Sequence, residues 1–474
     1  MQTTDYDTVV YPSTISRQAH PDRLACVARL HGLTPPDIET ARVLEIAGGD
    51  GSNLIAIAEA YGRGRFVSFD LAQSAVDRGR AFIARAGIEN LVIERGDVLE
   101  RARNMAGQFD YVVAHGLYAW VPEAVREGVW RLMKRVLAPN GIGMVSYNAL
   151  PGGYLRLALR DRMLLETRNA KTPEETMALA RKWLNGFAAE PEPSDPFLRA
   201  LQSEASKTLR RKAEGLYHDE LGASYAPQRL MDVVAAAAGH GLRFFGEASP
   251  GLQEDGFLDE DDLAAGETDP ILTAQRRDFD KSRFFRNSLF VHDALVPATT
   301  FDTATMDTLY VSCESRREGE HTFVARGGAF EIKEPALASI VTRLSEVFPR
   351  RLRIDELDLT SDLKYNLFRL FDHYLILLHA GPLPYPTTIG PRPEASRVAR
   401  QQIADGLPWV YTLDHRTIAM PEPGSRTMLS MLDGTRDHAT LEQMWNETPY
   451  AHEETLTGGL TKLVRSGLIK GEGR

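Results

Sequence analysis

Through the first 148 residues, apolar positions gather in short runs rich in β-branched and aromatic residues, separated by longer stretches of mixed polarity. The runs "RVLEI" (42–46), "RFVSFD" (65–70), "LVIERGD" (91–97), "FDYVVAH" (109–115) and "GIGMVSYN" (141–148) read as strands. Between them, 53–61, 72–86 and 123–137 carry apolar residues at helical spacing. Such alternation predicts a parallel sheet covered by helices on both faces and wound by right-handed crossovers. Residues 155–215 then read as mostly helical and charged, interrupted by "AEPEPSDP". Alternation resumes in "PQRLMDVVAAAAGHGLRFFGEAS", a helix, a turn at Gly241 and a strand, and in the strand "FFRNSLFVH". These predict strands six and seven of the same sheet. The helical block and the acidic run "GLQEDGFLDEDDLAAGETDP" become insertions into one domain ending near residue 295.

The remainder holds a weak internal repeat. Glu334-Pro335 aligns with Glu422-Pro423, and Leu344 with Leu432. Each unit reads as strand, helix, turn, helix, and the second ends in "LTKLVRSGLIKG", a helix running into a β-ribbon. That is a winged-helix pattern, with the Pro-rich "GPLPYPTTIGPRP" (381–393) as linker.

Composition narrows the function classes. With 474 residues the chain can hold two or three domains. Its net charge of -10 argues against a nucleic-acid partner, and the expected third helix of the last unit offers only Lys462 and Arg465. Cys26 and Cys313 are far apart, so no disulfide framework or cysteine metal site is expected, and a cytoplasmic location is. "MQTTDYDTVVYPS" lacks a charged head before an apolar core. No apolar stretch approaches the roughly 20 residues that span a bilayer. No histidine or acid cluster has metal-ligand spacing, and "DEDD" (259–262) reads as a solvated loop.

The chemistry concentrates in "EIAGGDGSN" (45–53), a strand end running through glycines into a helix. Such a turn suits a dinucleotide or S-adenosylmethionine. A dinucleotide loop wants G-x-G-x-x-G to receive pyrophosphate. Here Gly48, Gly49 and Gly51 precede Ser52 and Asn53, with Ala56 further on, which fits E-x-(G)-x-G-x-G, the S-adenosylmethionine form. Ala47 stands where the first glycine is expected, and its methyl group is tolerable if φ there stays negative. Asp70 ends strand two, where a carboxylate can accept from both ribose hydroxyls, with Leu71 beside it. Asp97 ends strand three, where it can accept from the adenine amine while Val98 offers a backbone N–H. The competing role for either acid is a helix cap. Glu45, Ala47, Gly48, Gly49, Gly51, Asn53, Asp70, Leu71, Asp97 and Val98 are therefore the expected cofactor contacts.

"VVAHGLYAWVPEAVR", "GIGMVSYNALPGGY", "YPSTISRQAHPDRLACVARLHGL", "LYHDELGASYAP" and "RFFRNSLFVH" together resemble the class I methyltransferases with a methyltransferase regulatory domain. That group includes bacterial outer-membrane-protein lysine methyltransferases. The resemblance implies a doubly wound seven-stranded α/β sheet with a helical insertion and a C-terminal winged-helix-like α+β region. It implies S-adenosylmethionine as cofactor, S-adenosylhomocysteine as product and a protein substrate, with a homodimer as a further possibility. The corresponding division is 1–153 for the cofactor-binding half, 154–215 for the helical insertion and 216–295 for the regulatory segment with the last strands. Winged-helix-like units at 296–390 and 391–474 follow.

Methyl transfer is an in-line displacement at an activated carbon, so positioning and a free lone pair on the acceptor suffice. A lysine amine with pKa near 10.4 is neutral in roughly one molecule in a few thousand at pH 7. "HGLYAW" follows strand four at the carboxyl edge, where ligands sit in this fold class. His115 with Gly116 could close over the cofactor, and His115 could accept a proton. Tyr118 and Trp120 could wall an amine channel, or simply pack on the helix after Pro122. Tyr147 and Asn148 end strand five on the same edge, and Tyr11, His20 and Arg23 could cover the cofactor from the N-terminal side. The alternative acceptor is a small molecule, and a non-catalytic scaffold is the reading outside the enzyme class.

Overall fold

A computed structural model of the chain describes residues 4–471 except 250, 252, 326 and 327. The first three residues of the N-terminal stretch and Leu252 of the acidic run lie outside the described residues. Seven strands build the central sheet: β1 (Arg42–Ile46), β2 (Arg65–Asp70), β3 (Leu91–Arg95), β4 (Phe109–Ala114), β5 (Leu137–Asn148), β6 (Leu242–Glu247) and β7 (Phe285–His292). Their order is β3-β2-β1-β4-β5-β7-β6, as the seven-stranded reading requires. β7 runs antiparallel to both β5 and β6, because the chain that leaves β6 at the carboxyl edge re-enters the sheet from that same edge. β5 starts at Leu137, four residues before the expected strand, since "LAPN" lacks the β-branched signature yet pairs with β4 through a register shift.

The N-terminal segment supplies α1 (Asp5–Thr8) and the deeply buried α2 (Pro21–Leu30). The crossovers are α3 (Ser52–Ala60), α4 (Gln73–Ala86), α5 (Val98–Asn104) and α6 (Glu123–Val136). Alternate strand residues face opposite layers: Val43 joins the core of α2 and α3, and Leu44 joins that of α5 and α6. The helical block is α7 (Gly153–Thr167), α8 (Pro173–Ala189), α9 (Pro196–Leu209) and α10 (Ala213–Leu221). It has its own core of Leu159, Met163, Ala180, Leu184, Ala205 and Leu216. Leu216 shows that the block continues past the expected limit at 215.

α11 (Leu230–Gly239) leads into β6, and α12 (Glu260–Ala264) and α13 (Pro270–Asp280) lie between β6 and β7. "DEDD" is solvated as expected, but it opens a helix and is not a loop. Asp259 and Asp262 form a capping box on α12, and Arg277 pairs with both at 3.0 and 2.6 Å.

Beyond the sheet come β8 (Tyr310–Ser312), β9 (Ser315–Arg317), β10 (Thr322–Ala325), β11 (Gly328–Glu331), α14 (Pro335–Val347), β12 (Leu352–Arg353), α15 (Ser361–Asp372) and β13 (Leu377–His379). The last unit holds β14 (Glu394–Ala395), α16 (Arg397–Ala404), β15 (Trp409–Tyr411), β16 (Thr417–Ala419), α17 (Pro423–Met431), α18 (His438–Asn446), α19 (Leu456–Arg465) and β17 (Ile469–Lys470). Both Glu-Pro pairs open a helix, α14 and α17. The first unit then departs from the winged-helix expectation: β12 separates α14 from α15, and α15 runs into β13 instead of a third helix. On α19, Lys462 pairs with Glu454, and the Arg465 guanidinium lies 5.4 Å from the Phe348 ring. Among the described residues no helix is long and apolar enough to cross a membrane.

Candidate cofactor and acceptor site

β1 delivers Glu45 to the carboxyl edge, and the next six residues turn into α3. Ala47 has φ of +55°, so the expectation of a negative φ fails: its methyl group sits in the left-handed region, where a non-glycine residue is strained. Gly48 is required by space, because a Cβ there would lie 2.2 Å from Ser68 Oγ and 2.7 Å from Glu45 Oε2. Gly49 has φ of +59°, and a Cβ on it would meet nothing within 4 Å. That open side is where a ligand could pass the backbone. Gly51 is the residue before α3.

Asp70 receives the Gly49 N–H on one oxygen at 2.9 Å and the Ala72 N–H on the other at 2.8 Å. Burial raises its pKa despite these bonds. The N-cap of α4 is Ala72, so Asp70 is a rim carboxylate tied to the glycine loop rather than a cap. Leu71 beside it is exposed. Asp97, in contrast, is the N-cap of α5: its Oδ1 accepts from Leu99 N–H at 2.6 Å and Glu100 N–H at 3.2 Å. Both bonds use one oxygen and leave the other directed elsewhere. Val98 is the buried first residue of that helix.

Glu45 is 3% exposed. Its Oε1 accepts from Asn53 Nδ2 at 2.9 Å, while Oε2 is buried without a hydrogen-bond partner. Burial pushes its pKa up to about 8; the Asn53 bond works against this, and the Asp50 and Asp70 charges add to it. Asn53 itself is consumed internally, since its Oδ1 accepts from Ser16 N–H at 2.9 Å and from His415 Nε2 at 3.1 Å. It orients Glu45 rather than reaching a ligand.

Residues 4–16 run across this rim. Asp7 accepts from Ser74 N–H at the start of α4 (2.9 Å), Ser13 donates to Asp50, and Ser16 reaches Asn53. Tyr11 Oη donates to Asp219 at 3.2 Å, and the Tyr6 ring stacks on His218 at 4.2 Å. Tyr11 therefore belongs to a cover strung from α4 to α10. His20 and Arg23 do not. His20 is buried as the N-cap of α2, its Nδ1 accepting from Asp22 N–H, and it packs on Tyr61 and His415. Arg23 donates to Ala248 O at 2.8 Å and lies over Phe371 at 4.2 Å. Both secure α2 against neighbouring units.

On the acceptor side, His115 is half-buried just after β4, its ring edge-on to Phe285 at 6.2 Å. Its Nδ1 is buried and unpartnered, and burial lowers its pKa to about 4. The Gly116 N–H donates to Ser146 Oγ at 2.8 Å. Tyr118 is not a channel wall. It is 3% exposed, packs edge-on against Trp130 and tilted against Tyr147, and accepts from Trp130 Nε1 at 2.8 Å. Tyr147 is likewise core, its hydroxyl within 3.0 Å of Ser288 Oγ. Trp120 packs on Tyr225 at 4.7 Å, and the Arg156 guanidinium lies 4.9 Å from the Trp120 ring, 5.1 Å from Tyr225 and 5.6 Å from Phe284. Arg156 is locked there by buried Glu220 at 2.7 Å. A ring already holding a guanidinium is a wall for the site, not a methylammonium clamp. The neighbour of Tyr147, Asn148, does face the edge with consequence: it is 3% exposed, and its Oδ1 is buried without a partner. Phe285 is the register partner of Asn148 across β5 and β7, and its ring lies edge-on to that of His115. Arg156, Glu220, Tyr225 and Phe285 were not singled out from sequence, although all but Arg156 lie inside motifs that carry the family resemblance.

The donor set fits S-adenosylmethionine. Glu45 Oε2 lacks only a cationic donor, which the α-ammonium of a methionyl group supplies. Gly49 leaves backbone clearance, and Asp70 offers a carboxylate to a ribose diol. A β7-reversed sheet with this rim defines a class I, S-adenosylmethionine-dependent methyltransferase. Comparison with known families agrees: residues 43–141 match the methyltransferase domain, 212–292 the predicted methyltransferase regulatory domain, and 391–459 the PKMT C-terminal winged helix domain. The chain belongs to the class I methyltransferases that carry this regulatory segment, and among curated proteins it is similar to RP028 of Rickettsia prowazekii. It is 31% identical to RP028 over 218 residues, 46% of this chain and 87% of that one. A second R. prowazekii protein, RP789, is 28% identical over 61% of this chain, and the match spans about half (53%) of its length. PKMT2 from Rickettsia typhi shares the fold at 21% identity, with a TM-score of 0.81 over 97% of this chain and all (100%) of that one. PKMT2 has also been solved in complex with AdoHcy (TM-score 0.79).

Proposed function

We propose that the protein N-methylates lysine side chains of a protein substrate. The observation that carries this is the pair of unpartnered buried polar atoms, His115 Nδ1 and Asn148 Oδ1, at the carboxyl ends of β4 and β5; the imidazole nitrogen accepts when its proton sits on Nε2. An amine with two or three N–H bonds satisfies both, whereas a hydroxyl acceptor has one proton to give. The likeness to PKMT2 along the whole chain, and the winged-helix match described for PKMT proteins, support the protein substrate. The helical block and the C-terminal units then serve to dock it.

When bound, S-adenosylmethionine supplies an electrophilic methyl group on a sulfonium. Glu45 Oε2 and Asp70 would hold the methionyl ammonium and the ribose, and the second oxygen of Asp97 would take the adenine amine. The N-terminal cover excludes water, and the same exclusion favours the neutral form of an incoming lysine. His115, with its pKa near 4, is a poor base at neutral pH but a good neutral hydrogen-bond acceptor. It and Asn148 orient the amine so that its lone pair faces the methyl group. After transfer the product carries an additional positive charge, and the same two acceptors hold it. The test is to incubate the purified enzyme with isotopically methyl-labelled S-adenosylmethionine and outer-membrane proteins, then map peptides by mass spectrometry. Labelled lysines are expected. Label found only in small molecules, with unmodified protein, contradicts the proposal.

A further inference from the structure

The helix that follows the cofactor loop is gripped at both ends by the C-terminal winged helix. At the first turn of α3, His415 donates from Nε2 to Asn53 Oδ1 at 3.1 Å. His415 sits at the tip of the β15–β16 hairpin with φ of +60°, and it is 1% exposed. Near the last turn, buried Glu59 reaches out of α3 to the start of α16. Its Oε1 accepts from Arg397 N–H at 2.6 Å, and its Oε2 accepts from Ser396 Oγ at 2.6 Å and Val398 N–H at 3.2 Å. A carboxylate of one unit thus satisfies the open N–H groups that begin a helix of another. Arg397 Nη1 to Gly87 O (2.9 Å) and Arg85 to Asp405 (2.8 Å) extend the contact along α4.

The polarity of the first contact is determined throughout. Asn53 Oδ1 must accept, because Ser16 N–H also donates to it, so Asn53 Nδ2 donates to Glu45. His415 must then donate from Nε2–H, which leaves its Nδ1 bare, buried and unpartnered. The chain of donors runs from the winged helix through Asn53 to Glu45 Oε1, and Glu45 Oε2 is left buried and unpartnered.

We infer that the winged helix is a working part of the cofactor site, and that His415 is a positioning residue which sets cofactor affinity through Asn53 and Glu45. This rests on the assignment of Glu45 to the cofactor. A docking event that shifts the β15–β16 hairpin changes the grip on S-adenosylmethionine, and by reciprocity cofactor binding tightens the hairpin. The unit that the fold adds far along the sequence therefore couples substrate capture to cofactor retention.

The test is calorimetric titration of the full chain with S-adenosylhomocysteine. His415→Ala should weaken binding about tenfold, the cost of one lost buried donor, and raise KM for the cofactor with a much smaller change in kcat. His415→Gln, which restores an N–H donor of similar reach, should recover most of the affinity. Hydrogen exchange of the wild type should show residues 409–419 gaining protection when the ligand binds. Wild-type affinity in His415→Ala, equal loss in both variants, or no added protection of the hairpin overturns the inference. Absence of binding by the wild type overturns it together with the cofactor assignment.

Discussion

Cofactor affinity should rise with pH on the acid side of neutrality, and Glu45 is the reason. Its pKa stands at about 8 against an ordinary value of 4.5, raised by burial. An ammonium ligand binds the ionised form, so binding must expel a proton whenever the pH is below that value. Roughly one carboxyl in a hundred is ionised at pH 6, and about one in four at pH 7.5. An α-amino group is still mostly protonated across that window. The dissociation constant for S-adenosylhomocysteine should therefore fall roughly fifteen- to twentyfold from pH 6 to 7.5. Titration in buffers of different ionisation heat should show close to one proton released per ligand at pH 6. The sign of the stability effect follows. Because the folded pKa is above the unfolded one, the stability Glu45 contributes without ligand is full below about pH 4.5 and is lost as pH rises toward 8. The cofactor's positive charge reverses that loss. Glu45→Gln keeps the shape and the Asn53 contact but cannot ionise, so its affinity should be weak and flat over the same range. A wild type whose affinity does not change between pH 6 and 7.5, or a Glu45→Gln protein that keeps the slope, refutes the reasoning.

Asp70→Ala removes the rim carboxylate tied to Gly49 and should abolish measurable binding of S-adenosylhomocysteine; near-normal affinity refutes the ribose assignment. Ala47→Gly relieves a left-handed alanine and should raise stability to urea by about 1 kcal/mol; an equal loss would show that the turn is not strained. Asn148→Ala should cut kcat at least tenfold with unchanged cofactor affinity, read by single-turnover methylation beside calorimetry, whereas Tyr118→Phe should leave the chemistry intact and cost about 1 kcal/mol of stability through the lost Trp130 partner. A Tyr118→Phe variant with the Asn148→Ala defect would reverse the two roles.

Strand positions were legible because alternation between short apolar runs and helical segments is a local property, and β1, β2 and β4 fall within a residue of expectation. β5 began early because "LAPN" carries strand geometry through a bulge that apolar pattern does not encode. The glycine loop and its two downstream acids were legible for the same local reason. What each does was only partly so. Asp70 is a rim carboxylate and Asp97 a helix cap, a distinction set by where the following helix starts. Tyr147 and Asn148, which the sequence put forward together, are adjacent and therefore face opposite sides of β5; Tyr147 spends its hydroxyl on Ser288, while Asn148 Oδ1 has no partner. His20, Arg23 and the Arg156 cage depend on contacts across tens to hundreds of positions. No spacing rule reaches that far. The sign of φ at Ala47 was hidden too, since alanine is chosen there against its own preference.

The most direct test of the account is a structure of the enzyme with S-adenosylhomocysteine and a lysine-bearing peptide. The account predicts the α-ammonium on Glu45 Oε2, the ribose on Asp70, and the lysine Nζ within hydrogen-bonding distance of both His115 Nδ1 and Asn148 Oδ1. A lysine that enters elsewhere, leaving those two atoms unpartnered, contradicts it.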